Sequence, residues 1–550
     1  MIHTVTCETV SAALSEQLDV GPERRFAKVG NGEWLTYADV NRRSDRIAAG
    51  LRGTGVGRGD RVALLCATRP ELIEVFYGVA KLGAIIVPLN PYLRGEFLRY
   101  QLDDSGALVV IADSEGVRQL LPILSGTKLR HVVVLGEIPL DAREVEFRPY
   151  SELCVDEGSI DSTKFHASDP MSICYTSGTT GLPKGVVIPH GAYVASPLQF
   201  FGVDGWFGDD DVFMTTTPFY SYGTNGMFLG FGLCGGVPVV LEPEFHASTF
   251  LSRIRAEGCT VVACTGMVGM AVLEQPPAYD DADNPMRLGV WTPMPTAKLN
   301  EFGQRFACET SNGIYGQTEG VPVARMPYPF PPGKRATNGR IVDAMEAIIL
   351  DEHGSPLSPG EVGEIAIRAR QPYTMFAGYW GNAEATVEAW RGFWHHTGDH
   401  GRLDQDGYLT FVDRKRDSLR HRGQNVSSFE LESTVLLHPS VRQVAAYAVP
   451  AELAEDEIMV TLVLEEGATL TPNDIARFFR ENLPYFAAPR YVDVVQELPT
   501  NTMGRVTKDA LRRDGVSSRT WDLKSFGLQQ VRADRRGRDT RTREQSISTD

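Results

Sequence analysis

Short apolar runs separated by stretches of helical periodicity recur early in this 550-residue chain, and that alternation restricts the fold more than any other feature. Arg61-Val-Ala-Leu-Leu-Cys66, Ala84-Ile-Ile-Val-Pro-Leu89, Leu108-Val-Val-Ile-Ala112 and His131-Val-Val-Val-Leu135 lack the polar alternation of a half-exposed strand. Tyr37 to Leu51, with Thr36 placed as an N-cap, and Glu71 to Leu82 carry apolar residues at helical spacing. The pattern predicts α/β architecture, with parallel sheets covered by helices. From Ala344 to Tyr408 the strand signals shorten and are broken by Asp351-Glu-His-Gly354 and Ser358-Pro-Gly360, which predicts a small antiparallel or barrel-like section.

A chain this long exceeds what one hydrophobic core supports, so more than one domain is expected. A boundary is predicted after Asp413-Arg-Lys-Arg416. Beyond it lies an α+β stretch: Ser428 to His438 helical, Val441 to Val449 and Met459 to Leu464 extended, Thr471 to Leu483 helical. The expected division is a large domain over 1–415, a small α+β domain over 416–514, and a polar tail over 515–550 that is mostly disordered.

No apolar run approaches the roughly 18 residues that cross a bilayer, and the opening segment lacks a basic-then-apolar secretory pattern. Eight scattered cysteines without neighbouring histidines at ligand spacing read as free thiols of a reducing cytoplasm. A net charge of −16 argues against a nucleic-acid partner but leaves room for a local basic pocket.

Such a pocket is predicted at Tyr175-Thr-Ser-Gly-Thr-Thr-Gly-Leu-Pro-Lys184-Gly. Gly178 and Gly181 permit close backbone approach to a ligand, Thr176, Ser177, Thr179 and Thr180 supply hydroxyl donors, and Lys184 adds a cation. Successive amides in such a loop bind anions, and polyphosphate is the chemistry that fits. The Gly-x4-Gly-Lys-Ser/Thr pattern of the common nucleotide hydrolases is absent.

The loop resembles the signature of the acyl-CoA synthetase, peptide-synthetase adenylation domain and luciferase superfamily of adenylate-forming enzymes. Three further segments match in order: Tyr315-Gly-Gln-Thr-Glu319, Tyr379-Trp380 with Trp394-His-His-Thr-Gly-Asp399, and Gly407-Tyr-Leu-Thr-Phe-Val-Asp413-Arg414. The resemblance covers about Glu8 to Arg512. It implies ATP, Mg²⁺ and coenzyme A as cosubstrates, adenylation of an acid with release of pyrophosphate, then transfer to a thiol. It also implies a mobile C-terminal domain. Tyr315 and Gly316 would lie against adenine, Thr318 would donate to a phosphate, Glu319 would hold Mg²⁺, Asp399 would accept from the ribose hydroxyls, and Arg414 would lie beside ribose and phosphates. Arg416 occupies the hinge position, with Arg420 and Gly423 on the face used in the second step. Gln424 to Glu432 and Thr520-Trp-Asp522 are most similar to the crotonobetaine/carnitine-CoA ligase group.

This chain departs from the family in three places, the first being Arg416 at the hinge, where other members carry Asp or Lys. Arg505, in Met503-Gly-Arg505-Val-Thr-Lys508, stands where the family places its catalytic lysine, and a guanidinium fork does not replicate an ammonium. Either Arg505 takes over that contact, Lys508 does, or adenylation is weak or altered. In Gly289-Val-Trp291-Thr-Pro-Met-Pro295, Trp291 and Pro293 replace a glycine-rich turn. Trp291 either narrows the acyl pocket or points into the core. With Tyr220, Tyr222, Gly223, Asn225 and Gly313, it makes up the expected pocket for a small or aromatic acid. Three functions stay open at this point: an acid–CoA ligase; an adenylating enzyme with another acceptor, such as a carrier-protein thiol or, in a diazotase, nitrite activated for an aryl amine; and a nucleotide-binding homologue without catalysis. A homodimer is compatible with each.

Overall fold

The computed structural model describes residues 2–137, 145–156, 165–176, 182–292, 294, 296–414, 418–421, 424–450, 456–499 and 508–526. The chain divides into two compact units, the second comprising Tyr92–Tyr100, Thr176–Pro183 and the chain from Arg416.

The first unit holds two sheets that are largely parallel, as the alternation predicts. One runs in the order Gly378–Tyr379, Lys184–Pro189, Pro170–Thr176, Ile85–Pro88, Arg61–Leu65, Val109–Asp113, His131–Leu135, Glu146–Pro149. Its strands from Ile85 to Leu135 are buried at nearly every position, as a sheet covered on both faces requires. The helix Glu71–Leu82 packs within this layer, and Tyr37–Gly53 begins with a capping box in which Thr36 and Asp39 exchange hydrogen bonds. The second sheet runs Glu309–Ser311, Leu288–Thr292, Val261–Thr265, Phe213–Thr215, Val239–Leu241, Arg25–Val29, Leu35–Thr36, parallel except for the last pair.

The antiparallel section is larger than its sequence signal. It begins at Ile314 rather than Ala344, because Tyr315-Gly-Gln-Thr-Glu319 is itself part of a hairpin. Ile314–Gln317 pairs with Gly320–Arg325, and Thr318-Glu319 forms the turn. The sheet continues through Gly339–Ile341, Tyr408–Arg414, Trp394–Leu403 and Gly363–Ala369 to Met345–Leu350.

In the second unit Ser428–Val435 and Pro472–Asn482 are helical, the latter capped by Thr471. Val441–Val449, Glu457–Leu464, Tyr491–Val494 and Trp521–Asp522 form one sheet. The last strand falls within the first residues of the stretch expected to be a mostly disordered tail over 515–550. Trp521 and Asp522 pair with Val492 and Tyr491, and the Asp522 carboxylate takes the Arg490 guanidinium at 2.9 Å. A short apolar-plus-charged stretch can be ordered by pairing to an existing strand edge, which composition does not reveal. The tail beyond Phe526 lies outside the described residues.

Gly339 shows how tightly the antiparallel sheet is built. Its φ is 101°, and a Cβ there would stand 2.0 Å from the Arg325 carbonyl carbon. Gly339→Ala is expected to cost about 3 kcal/mol of stability, read as a lowered midpoint in thermal or denaturant unfolding.

Candidate functional site

Three strands of the first unit converge on the predicted nucleotide residues. Lys184 opens the strand Lys184–Pro189, and Tyr379 lies on the short strand paired antiparallel to it. The Lys184 ammonium sits 4.8 Å from the centre of the Tyr379 ring. The Tyr379 hydroxyl donates to Glu319 Oε1 at 2.9 Å. Burial, and then the Glu319 carboxylate beside it, raise the Tyr379 pKa well above that of an ordinary phenol, so the hydroxyl remains a donor. Glu319 is 8% exposed, and its carbonyl accepts from Phe376 N at 3.0 Å. A cation, an aromatic face and a carboxylate thus form one contiguous group.

The second group is built on Asp399, 4% exposed in the strand Trp394–Leu403. Its Oδ2 accepts from the Tyr315 hydroxyl at 2.9 Å and from Gln317 Nε2 at 3.3 Å. Its backbone N–H donates to Thr397 Oγ1 at 3.1 Å. Gln317 Nε2 also donates to the Thr397 carbonyl at 3.2 Å, and Gln317 Oε1 lies 3.0 Å from His395 Nε2. The Arg414 backbone stands opposite Asp399 in the ladder. The Tyr315 ring lies nearly parallel to that of Phe411 at 6.1 Å.

Two histidines of this unit are held neutral. Burial, with His396 and Lys184 nearby, lowers His395 from 6.5 to about 3. Burial lowers His190 to about 4.

Of the expected acyl-pocket residues, Trp291 is fully buried in the core, with Phe250 and Phe302 rings 6.3 and 4.6 Å away and Gly269 and Met294 beside it. The reason is strand alternation. Val290 faces the main core, so Trp291 points to the opposite, helix-covered side. Tyr222 and Asn225 are buried as well. Asn225 accepts from the Tyr193 hydroxyl and donates to the Phe219 carbonyl, each within 2.9 Å. Gly223 opens the helical turn Gly223–Phe228, Tyr220 is half-buried just before it, and Gly313 packs against Val290 and Trp206. Elsewhere in the unit a cleft of about 560 Å³ is lined by Arg43, Arg69, Glu71, Glu74, Asp113 and Tyr150, and contains none of the predicted residues.

In the second unit the Lys508 ammonium is held by Ser428 Oγ and Glu432 Oε1, each at 2.8 Å. Arg420 lies in the strand Ser418–His421. Ser177, Gly178, Thr179, Thr180, Gly181, Pro293, Arg416, Gly423 and Arg505 lie outside the described residues. Thr176 ends the strand Pro170–Thr176. Among the described residues no cluster of three His, Cys, Asp or Glu side chains forms a metal cage, and no helix is long and apolar enough to cross a membrane.

Residues 14–380 match the AMP-binding enzyme family, and residues 430–505 match the AMP-binding enzyme C-terminal domain. The chain belongs to the AMP-binding enzyme family. It is an AMP-forming ligase. Its sequence is 30% identical over 492 residues to the crotonobetaine/carnitine–CoA ligase of Salmonella paratyphi A, covering 87% of this chain and 93% of that protein. The fold is shared with o-succinylbenzoate–CoA synthetase from Bacillus subtilis (TM-score 0.78, 23% identity, 92% of this chain and 98% of that one). It is also shared with an amide bond synthetase from Marinactinospora thermotolerans (TM-score 0.77, 23% identity, 92% and 99%).

Gln317, Tyr379 and His395 were not assigned these contacts from sequence. A signal was present: 395, 397 and 399 recur at strand period. That Tyr315 and Gln317 face them is not encoded in either segment.

Two expectations follow. Tyr379→Phe keeps the ring under Lys184 but removes the donor to Glu319, and should lower kcat/KM for ATP roughly tenfold in a pyrophosphate-release assay. Both depressed histidines bind protons in the unfolded chain before the folded one. Their contribution is therefore complete above pH 6.5 and declines as pH falls toward about 4. Acid titration of unfolding midpoints checks this, and His190→Phe should flatten the slope in that window.

Proposed function

We propose that this ligase is an acid–CoA ligase acting on a small or aromatic carboxylic acid. The observation that supports it best is a pair of groups sharing one hairpin: Glu319 joined to Lys184 through Tyr379, and Tyr315 with Gln317 donating to Asp399. The arrangement suits an adenine nucleotide. Asp399 accepts from the ribose hydroxyls, Tyr315 lies beside the base, and Lys184 with the Thr176 to Gly181 loop neutralises phosphate charge. Glu319 would hold Mg²⁺, which would supply charge neutralisation to the phosphates; Thr318, in the same turn, would donate to a phosphate.

With these groups in place, a substrate carboxylate oxygen attacks the α-phosphorus of ATP. The bond to the bridging oxygen breaks, and pyrophosphate leaves. The CoA thiolate then attacks the acyl carbon and expels AMP. Positioning and charge stabilisation carry both steps, and no side-chain nucleophile is required. Relatives acting on carnitine derivatives support a small acid, and CoA as acceptor follows the same likeness.

For the cation of the adenylation step we favour Arg505. Lys508 is already committed to Ser428 and Glu432, and leaving Glu432 unpaired would be costly. Arg416, Arg420 and Gly423 are assigned to the hinge and the second-step face, on the division at 415–416.

Pyrophosphate release measured with ATP, Mg²⁺ and a panel of acids should require an acid, and AMP-coupled thioester formation should require CoA. Turnover that needs nitrite and an aryl amine, or a carrier protein, instead of CoA would reject the acceptor. Arg505→Ala should slow the first half-reaction by roughly 100-fold or more, and Lys508→Ala should change it little; the opposite ranking reverses the assignment.

A further inference from the structure

Gln317 has a fixed orientation that can be read from its partners. Its Nε2 faces two groups that only accept, the Thr397 carbonyl at 3.2 Å and Asp399 Oδ2 at 3.3 Å. The amide NH₂ must therefore point at them, and Oε1 must point at His395 Nε2, 3.0 Å away. It follows that His395 carries its proton on Nε2. Its Nδ1 is buried and meets no hydrogen-bond partner among the described residues. A second proton there would be buried without an acceptor and close to Lys184, so the ring is a neutral, single-donor imidazole. Phe376 and Trp390 pack on it at 5.0 and 5.7 Å and fix its plane.

We propose that His395 is a positioning residue for the nucleotide: its Nε2–H locks the Gln317 amide so that the NH₂, and not the carbonyl, meets the Asp399 carboxylate. Without that lock the amide can turn by a half-rotation and place Oε1 against Asp399 Oδ2. Two acceptors would then oppose each other where the ribose hydroxyls are to be received. The relay His395 to Gln317 to Asp399 acts on ribose affinity and not on the reacting phosphorus. The inference rests on the nucleotide reading of this site and deepens it.

The experiment is calorimetric AMP and ATP binding to the full chain, alongside KM for ATP and kcat from pyrophosphate release. His395→Phe preserves an aromatic ring between Phe376 and Trp390 and removes the donor. Its AMP Kd and ATP KM should rise roughly tenfold, with kcat within about twofold. His395→Gln, which restores a donor, should recover most of the affinity. Gln317→Leu should show the same loss as His395→Phe, and combining the two should add little. Wild-type affinity in a folded His395→Phe protein overturns the proposal, as does a kcat loss equal to the KM change with no recovery in His395→Gln. Should His395→Phe fail to fold, Gln317→Leu decides: unchanged AMP affinity overturns the relay. The readout is nucleotide binding, so it is independent of which acid or acceptor is used. A wild-type chain that binds neither AMP nor ATP sinks both the relay and the reading beneath it.

Discussion

A carboxylate with 4% exposure cannot stay ionised in a protein interior without donors, and Asp399 meets them from a strand that is not its neighbour. Three strands separate Ile314–Gln317 from Trp394–Leu403 in the sheet order, yet Tyr315 and Gln317 reach Asp399. The sheet must curve strongly for this to happen. The irregularity between Tyr315 and Gln317, where Gly316 leaves no room for a side chain against Val321, is part of that curvature. The same curvature brings the hairpin turn with Glu319 against Tyr379, and through Tyr379 to Lys184 on the parallel sheet. The proposed nucleotide residues thus depend on one another through buried hydrogen bonds more than through sequence proximity.

This dependence explains the distribution of small residues and neutral histidines around the site. Gly185 lies where a Cβ would press on Ile173, Tyr175 and Trp380. Its carbonyl accepts from Trp380 N at 2.7 Å, which ties the phosphate-loop strand to the segment carrying Tyr379. Tyr175, which opens the loop motif, donates to Asp104 at 2.7 Å and so anchors the loop's base. His395 remains uncharged beside Lys184 because burial outweighs proton affinity.

Particular residues mark how far the sequence could be read. The buried strands from Arg61 to Leu135 were legible because a strand covered on both faces has no polar positions, and Thr36 was legible because capping is local. Lys184, Glu319 and Asp399 stood out because each sits in a short motif whose residue types match a ligand's chemistry. The fate of Trp291 was not legible: either face of its strand could accept a large ring, and only the packing of Phe250 and Phe302 selects one. Lys508 was a candidate for the catalytic cation in sequence, and its pairing with Glu432, 76 positions away, was not legible there.

By itself, the sequence determined the α/β alternation, the glycine- and hydroxyl-rich composition of the loop and membership among adenylate-forming enzymes, because periodicity and motif chemistry are properties of neighbouring residues. Only the tertiary structure decided which tyrosine holds which carboxylate, that Trp291 belongs to the core, and that His395 stands behind Gln317. Those outcomes depend on sheet curvature and on which strand face is covered, and both arise from contacts between segments that are not neighbours in sequence, such as Tyr315 with Asp399 and His395 with Gln317.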